Sequence, residues 1–173
     1  MVLVAYATRY GSTHEVAEVI AETFRDCGLT ADVRAVKDVP SLTEYNAIVL
    51  GAPLIMYRWH KDARRFLSRH RKILTKLPVA LFVLGPVQAP YNEKEWKDSH
   101  DQLNKELAKF PWLKPVTVEI LGGRFDPSKL GFPLKMFAGK EPASDIRDWT
   151  MIRKWAVNLA EKLKELMNKS QGS

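Results

Sequence analysis

The chain opens with Val2-Leu3-Val4-Ala5-Tyr6-Ala7-Thr8-Arg9-Tyr10-Gly11-Ser12-Thr13, an apolar run followed by a short polar loop. The apolar run predicts a β-strand over residues 2–7, and residues 13–27 have the spacing of an amphipathic helix. A loop that joins the end of a strand to the start of a helix turns free backbone N–H groups toward one point. The positive end of the helix dipole faces the same point, so the stretch predicts an anion site suited to phosphate.

Hydroxyl groups supply most of the side-chain donors in this loop. Thr8, Ser12 and Thr13 can each donate a hydrogen bond, and Gly11 lets the backbone approach a ligand closely. Arg9 is the one full positive charge in the loop. Mostly neutral donors suit a terminal monophosphate better than a metal-bound triphosphate, and the two common glycine-rich nucleotide motifs are absent. The alternative is that Ser12 and Thr13 are ordinary helix caps.

Length and composition predict one compact domain within the 173 residues. We expect that domain to cover residues 1–168, with a loop insertion at 122–147 and a flexible tail at 169–173. The sequence shows no leader pattern and no run of about 20 apolar residues. A cytoplasmic location is therefore expected, with peripheral contact at the inner membrane surface as one option.

The cysteine and histidine content limits the redox chemistry. A single cysteine, Cys27, excludes an intrachain disulfide, and the four histidines are scattered without metal-ligand spacing. Cys27 follows the first predicted helix, where we expect a buried structural thiol. No metal site is therefore predicted, and any redox chemistry must come from an organic cofactor.

Strands and helices alternate along the whole chain, which is typical of an α/β fold with a parallel sheet. The predicted strands are residues 2–7, 31–36, 47–52, 78–84 and 116–121, and the predicted helices are residues 13–27, 60–75, 92–109 and 148–168. Right-handed crossovers between such units give a doubly wound five-stranded sheet in the order 2-1-3-4-5, with helices on both faces. A ligand is then expected at the carboxyl ends of strands 1, 3 and 4.

The two loops at the ends of strands 3 and 4 have unusual compositions. Residues 51–59 are apolar and aromatic where a surface turn is normally polar, and residues 85–91 combine glycine and proline with Gln88 and Tyr91. Together they can wall a planar heteroaromatic ring whose phosphate tail lies in the first loop. The alternative is that Met56, Tyr57 and Trp59 pack against their own helix.

The Thr8-x-x-Gly11-Ser12-Thr13 loop resembles the phosphate-binding loop of the flavodoxin-fold FMN proteins. The resemblance covers nearly the whole chain, and it is strongest to the branch similar to menaquinone-dependent protoporphyrinogen IX dehydrogenase. It implies non-covalent FMN. The cofactor-binding residues that it implies are Thr8, Arg9, Tyr10, Gly11, Ser12 and Thr13 for the phosphate, and Pro53, Leu54, Ile55, Met56, Tyr57, Gly85, Pro86, Val87, Gln88, Ala89 and Tyr91 around the ring.

Positive charge is concentrated in residues 57–76, which contain eight basic residues and one acidic residue, Asp62. The surplus of seven equals the net charge of +7 of the whole chain. At helical spacing, several of these side chains share the face opposite the apolar stripe. The predicted partner-binding residues on this face are Arg58, Lys61, Arg65, Arg69 and Lys72, with Lys76 continuing the row. An acidic redox protein, an anionic membrane surface or an acidic substrate fits such a face, and the alternative is a solvated surface. No nucleic-acid motif accompanies the charge, so no nucleic acid is expected.

The connection at residues 122–147 joins glycine and proline turns to an apolar cluster flanked by lysines. It is predicted to form a lid over the flavin or a patch that docks a quinone, a porphyrin or a lipid surface, the alternative being a satellite core. Arg124 follows the last strand at the ligand edge, where it can pair with a substrate carboxylate.

These patterns predict an FMN-binding oxidoreductase or electron-transfer protein. One alternative is an enzyme that oxidises protoporphyrinogen and passes the electrons to a quinone, and another is a flavin-free interaction module on the same fold. No paired carboxylates and no Ser-His-Asp set fall at the ligand edge, so no catalytic acid or base is predicted.

Overall fold

The computed structural model describes residues 1–55, 58–88, 90, 92–129 and 142–171. Within these residues a sheet of six strands forms the centre, with five parallel strands in the order β2-β1-β3-β5-β6 and the short strand β4 paired to β3. The strands are β1 Val2–Tyr6, β2 Ala31–Ala35, β3 Ala47–Ile55, β4 Arg58–Trp59, β5 Val79–Leu84 and β6 Thr117–Leu121. The predicted doubly wound topology is confirmed, and the numbering differs because β4 lies between the predicted third and fourth strands.

Two helices cover each face of the sheet. The helices are α1 Ser12–Asp26, α2 Lys61–Leu74, α3 Glu93–Leu107 and α4 Trp149–Gln171. Apolar residues of α1 and α4 form one core with Val2 and Val4, whereas those of α2 and α3 form the other with Leu3 and Ala5. Successive residues of β1 thus enter opposite cores, as expected for a strand that is covered on both sides.

The four predicted helices and five predicted strands agree with the structure to within three residues at each end. Helix α4 continues to Gln171, so residues 169–171 of the predicted tail are helical, whereas 172 and 173 lie outside the described residues. Cys27 was expected to be buried, but it is only partly buried, because it caps α1 at the rim of the core. In the part of the chain that the structure describes, no helix is both long and apolar enough to cross a bilayer.

The loop predicted after the third strand is partly a hairpin. Strand β3 runs on to Ile55 and β4 returns beside it, pairing Leu54 with Trp59. The backbone N–H of His60 donates to the carbonyl of Pro53 at 3.2 Å and closes the base of the hairpin. Trp59 is 1% exposed and belongs to the core, so packing rather than ring covering is its role.

A close approach explains one glycine of β3. A Cβ atom at Gly51 would lie 1.9 Å from Cζ of Phe82 on the neighbouring β5. No side chain larger than hydrogen fits there without displacing the Phe82 ring. Gly51 therefore makes room for the Phe82 ring immediately below the edge where the ligand is predicted.

The connection predicted as a loop at 122–147 has paired ends. Strand β7, Arg124–Phe125, pairs antiparallel with β8, Ser144–Asp145, and a short 3-10 turn, Pro127–Lys129, follows β7. The pairing returns the chain to the start of α4. Residues 130–141, which hold most of the predicted lid or docking patch, lie outside the described residues.

Candidate flavin and phosphate site

Three of the predicted site loops begin on neighbouring strands at one edge of the sheet. Tyr6 at the end of β1 pairs with Gly51 of β3, and Pro53 of β3 pairs with Leu84 at the end of β5. Ala7 extends the first pairing by donating its N–H to the carbonyl of Gly51 at 2.8 Å. The topology therefore brings the loops after β1, β3 and β5 together, as the strand order requires.

The loop after β1 owes its shape to Gly11. Its φ of 95° lies in the left-handed region, while a Cβ there would meet no atom within 4 Å. The requirement for glycine is thus conformational rather than steric. The N–H of Gly11 donates to Oγ1 of Thr8 at 2.9 Å, and its carbonyl accepts from the N–H of Glu15 at 3.2 Å. These two bonds close the loop at the start of α1.

Helix α1 begins without a side-chain cap. Gly11 occupies the N-cap position, and among the described residues no side chain accepts from the first-turn N–H groups. Thr13, with no exposed surface, has an Oγ1 atom that likewise finds no hydrogen-bond partner in the described part of the chain. The alternative of Ser12 and Thr13 as caps is therefore wrong. A buried donor beside uncapped backbone N–H groups fits a phosphate. Polar groups without a partner destabilise the protein, and phosphate oxygens would accept their hydrogen bonds.

Cations from distant parts of the chain reach the carbonyl groups of this loop. Nζ of Lys129 donates to the carbonyl of Tyr10 at 3.2 Å, and Nη1 of Arg147 donates to the carbonyl of Ser12 at 3.4 Å. Arg9 is exposed, with its guanidinium 5.3 Å from the centre of the Tyr10 ring. Lys129 and Arg147 were not predicted as site residues, because no local pattern relates them to a loop more than 100 residues earlier.

Arg147 is the most enclosed cation at this edge, with 3% of its side chain exposed. It donates to both carboxylate oxygens of Asp145 and, at 2.7 Å, to Oε2 of Glu15. Its guanidinium also stacks on Trp149, 4.6 Å from the ring centre. Hydrogen bonding to Arg147 lowers the pKa of Asp145, so this carboxylate stays ionised at lower pH than an ordinary aspartate. These hydrogen bonds of Arg147 connect the β7–β8 segment to the start of α1.

Arg124 lies at the same edge, as the sequence predicted for its position after the last parallel strand. It contacts Oε1 of Glu15 at 3.5 Å and Oδ2 of Asp126 at 3.7 Å, with 35% of its side chain exposed. These long, half-exposed contacts leave the guanidinium accessible to a ligand. Its pairing with a substrate carboxylate stays a prediction.

The loop after β5 is fastened by Glu95 of α3. The carboxylate of Glu95 accepts from the N–H groups of Val87 and Gln88 at 3.0 and 3.1 Å. Asn92 caps α3, its Oδ1 accepting from the N–H of Glu95 at 3.1 Å. The spacing Asn92-x-x-Glu95 predicts the cap of α3, but it does not predict the bonds of Glu95 to the preceding loop. Because Glu95 accepts from them, the N–H groups of Val87 and Gln88 are already occupied, and a ring in this loop would meet side chains and carbonyl groups.

A cavity of about 690 Å³ opens beside this loop. Its walls include Leu54 of β3 and three residues that the sequence placed around the ring, Gly85, Val87 and Gln88, and it continues along α3. The volume lies in the range of small-molecule sites. Of the other predicted ring residues, Pro53 and Ile55 lie on β3 and Pro86 is buried in the loop, whereas Met56, Tyr57, Ala89 and Tyr91 lie outside the described residues.

His60 closes the hairpin on the side of α2. Its Nδ1 accepts from the N–H of Asp62 at 3.3 Å and caps the helix. Burial lowers the pKa of His60, and the charges of Lys61 and Arg9 lower it further, against the opposing effect of Asp62. The ring is therefore neutral at pH 7, which leaves the surrounding positive charge to the arginine and lysine side chains.

The predicted partner-binding side chains on α2 lie together on its outer face. All of them are exposed, whereas Ala63, Phe66 and Leu67 face the core. The structure thus agrees with a shared face for the four cations on α2, whereas Arg58 lies on β4 and Lys76 follows the end of the helix. Their role in binding a partner stays a prediction.

Comparison with known proteins agrees with this arrangement. The flavodoxin domain family matches residues 3–137. The chain is 25% identical to the protoporphyrinogen IX dehydrogenase [quinone] of Escherichia coli K12 over 179 aligned positions, which cover 96% of each protein. Among solved structures, it resembles oxidised flavodoxin 1 from Bacillus cereus, with a TM-score of 0.56, 18% identity and coverage of 92% of this chain and 97% of that one. A single-site variant of the flavodoxin from Pseudomonas aeruginosa gives a TM-score of 0.57 at 16% identity, with coverage of 94% and 98%.

The family match covers most of the chain and includes the loops after β1, β3 and β5. The solved flavodoxins share the fold over nearly their whole length. The chain therefore belongs to the flavodoxin domain family, whose members are FMN-binding electron-transfer flavoproteins that hold the cofactor without a covalent bond.

Proposed function

We propose that this protein is an FMN-dependent electron-transfer oxidoreductase whose cofactor lies at the sheet edge formed by the loops after β1, β3 and β5. The observation that supports it best is the orphaned, fully buried hydroxyl of Thr13 beside the uncapped start of α1. When bound, FMN supplies the redox chemistry. The protein supplies binding, orientation and exclusion of water.

The chain's own residues divide this task between two regions. The loop from Thr8 to Thr13 would bind the phosphate through backbone N–H groups and hydroxyls, and Gly11 gives it the required conformation. Leu54 and Val87, both partly buried at the cavity, would flank the ring and exclude water from one side. Glu95 would keep the second wall in place by its two hydrogen bonds to the loop.

The test compares binding of FMN with binding of riboflavin, which lacks the phosphate. Replacing Ser12→Ala and Thr13→Val together removes two hydroxyl donors while keeping nearly the same volume. We expect FMN affinity to fall by about 1–3 kcal/mol and riboflavin affinity to stay within error, as measured by fluorescence titration of the stripped protein. Unchanged FMN affinity would show that the phosphate lies elsewhere.

A matched control lies further along α1. Thr23 is 5% exposed, and its Oγ1 already donates to the carbonyl of Val19 at 2.8 Å. Thr23→Val therefore removes a buried hydroxyl of the same helix without touching the proposed site. We expect it to leave the affinity for both flavins unchanged. A flavin-free interaction module would bind neither flavin, in the variants or in the unmodified protein.

A second candidate function is oxidation of a porphyrinogen with transfer of the electrons to a quinone. It rests on the similarity to the Escherichia coli protoporphyrinogen IX dehydrogenase [quinone] over 96% of each chain, and on the accessible Arg124 at the ligand edge. Anaerobic mixing of the FMN-loaded protein with protoporphyrinogen would bleach the flavin absorbance if this function holds, and a quinone would restore it. If the flavin absorbance did not bleach over hours, electron transfer as a carrier would be the one remaining function of the two. A cytoplasmic site of action, at or near the inner membrane surface, is part of both proposals.

A further inference from the structure

A row of cations lies along the outer face of α2 and just beyond both its ends. This basic row consists of Arg58, Lys61, Arg65, Arg69, Lys72 and Lys76. All six residues are exposed. Within the described residues Arg65 alone has an ion-pair partner, Asp62 at 3.6 Å, and that pair is itself exposed. The other cations of the row face solvent, with no carboxylate of the described chain in salt-bridge contact.

The spacing of three or four residues aligns the row along a helix that is about 21 Å long at 1.5 Å per residue. Like charges at this spacing repel each other, and an oppositely charged partner would relieve that repulsion. The local surplus equals the net charge of the entire chain, so the rest of the molecule is neutral in sum. Residues 57–76 are therefore a local concentration of positive charge, centred on α2.

The row begins at the predicted flavin edge. Arg58 pairs with Ile55 across the β3–β4 hairpin, and Ile55 is one of the residues expected around the ring. Lys61 is the first residue of α2. A partner that docks along the row thus touches the hairpin with one end, which is the position from which electrons can reach the cofactor.

The chemistry of the face favours a protein over a lipid surface. None of the large apolar side chains exposed in the described part of the chain lies on α2, and the apolar stripe of this helix is buried in the core. Among the described residues, this face offers no apolar group that could enter an acyl layer, whereas stable membrane attachment normally needs an apolar anchor in addition to basic residues. A narrow cationic row matches a carboxylate-rich protein surface, and small redox encounters rely on such electrostatic steering.

We propose that the basic row is the docking surface for an acidic electron-transfer protein, which exchanges electrons with the flavin through the β3–β4 edge. This inference rests on the proposed function, since it names the partner of the same site. It makes the protein a flavodoxin-domain carrier with a cationic docking face.

The test uses an acidic plant-type [2Fe–2S] ferredoxin as the probe. A charge-reversal pair on the row, Arg69→Glu with Lys72→Glu, is compared with a control pair, Lys154→Glu with Lys164→Glu, on α4 across the sheet. Both pairs change the net charge equally. The rate constant for flavin reduction by reduced ferredoxin is followed by stopped flow at increasing ionic strength. We expect the row pair to slow the reaction roughly tenfold or more at low salt and to flatten its salt dependence, and the control pair to change it about twofold at most.

Binding of labelled ferredoxin to the FMN-free protein, followed by fluorescence anisotropy, separates the two proposals. If the protein failed to hold FMN, the reduction signal would vanish while row-dependent binding persisted. Equal weakening by both pairs, or no binding to the unmodified protein at low salt, would overturn the docking proposal. Row-dependent binding to vesicles with phosphatidylglycerol, without row-dependent binding of ferredoxin, would overturn it in favour of a membrane.

Discussion

Arg147 and Glu15 are 132 positions apart in the sequence, yet Nη1 of Arg147 lies 2.7 Å from Oε2 of Glu15. The contact joins a residue two positions before α4 to the first turn of α1. The same guanidinium nitrogen reaches the carbonyl of Ser12 at 3.4 Å. A single buried side chain therefore supports the backbone of the proposed phosphate loop from behind.

Arg147→Met should destabilise the protein by about 2 kcal/mol, because it removes charge-assisted hydrogen bonds and leaves the Ser12 carbonyl without this donor. FMN affinity should fall as well, since the loop loses support, while riboflavin affinity changes less. Urea unfolding and flavin titration measure the two effects. Arg124→Met is the control, because that half-exposed guanidinium contacts the same Glu15 at 3.5 Å. Arg124→Met should lower the free energy of unfolding by less than about 1 kcal/mol. Equal losses in both variants would contradict a supporting role for Arg147.

Gly11→Ala should weaken FMN binding without creating a clash. An alanine at φ 95° is strained by roughly 1 kcal/mol, and relief of that strain would distort the loop. Gly28 offers a matched control, because its φ is 83° and a Cβ there also meets nothing within 4 Å. Both variants should lose similar stability in urea, whereas Gly11→Ala alone should lower the affinity for FMN. A loss of affinity in Gly28→Ala would mean that global stability, and not loop shape, governs binding.

Glu95→Ala should loosen the second wall of the cavity. The N–H groups of Val87 and Gln88 would lose their acceptor, which costs about 1–3 kcal/mol if water does not replace it. Affinity for riboflavin should therefore fall, because the defect lies near the ring and not near the phosphate. Glu93→Ala removes a first-turn carboxylate of the same helix and serves as the control. If both variants lowered riboflavin affinity equally, the charge at the start of α3 would be the cause.

Stability should decrease as the pH falls from about 7.5 to about 5.5, partly through His70. Burial, together with the charge of Arg69, lowers the pKa of this ring, which packs 4.8 Å from Phe66. Below the ordinary histidine pKa of about 6.5, the unfolded chain binds a proton that the folded chain resists. Unfolding is then favoured, and the effect disappears above that pKa.

His70→Leu should flatten this pH slope in urea unfolding, because it removes the buried titrating ring. His60 shares the direction of the pKa shift, so part of the slope should remain. Exposed His100→Gln is the comparison, and it should leave the slope as it is. An unchanged slope in His70→Leu would show that other groups account for the pH dependence.

The strand order could be predicted because the apolar runs are short, separate and joined by helix-length segments. The phosphate loop could be predicted for a similar reason, since strand, polar loop and helix follow one another within residues 2–26. Both rest on the order of local elements, which periodicity and composition report, and the strand order follows from it by the right-handed crossover rule.

The features that were missed depend on contacts that no local pattern encodes. From its position in the sequence, Trp59 was predicted to lie in a loop. It is in the core because β4 pairs with β3. No pattern in the sequence distinguishes Arg147 from other basic residues. It reaches α1 because β7 and β8 pair. The cap of α3 by Asn92 follows a spacing that the sequence does contain, whereas the bonds of Glu95 to Val87 and Gln88 follow no such pattern.

The two sides of helix α2 have different roles. Phe66 and Leu67 pack in the core, while Arg65 and Arg69 face solvent. A substitution on the outer side changes no core contact and no group of the phosphate loop. Related proteins can thus change the partner that docks on α2 and still bind the same prosthetic group. Homologous chains with the same flavin edge and a differently charged α2 would serve different electron donors.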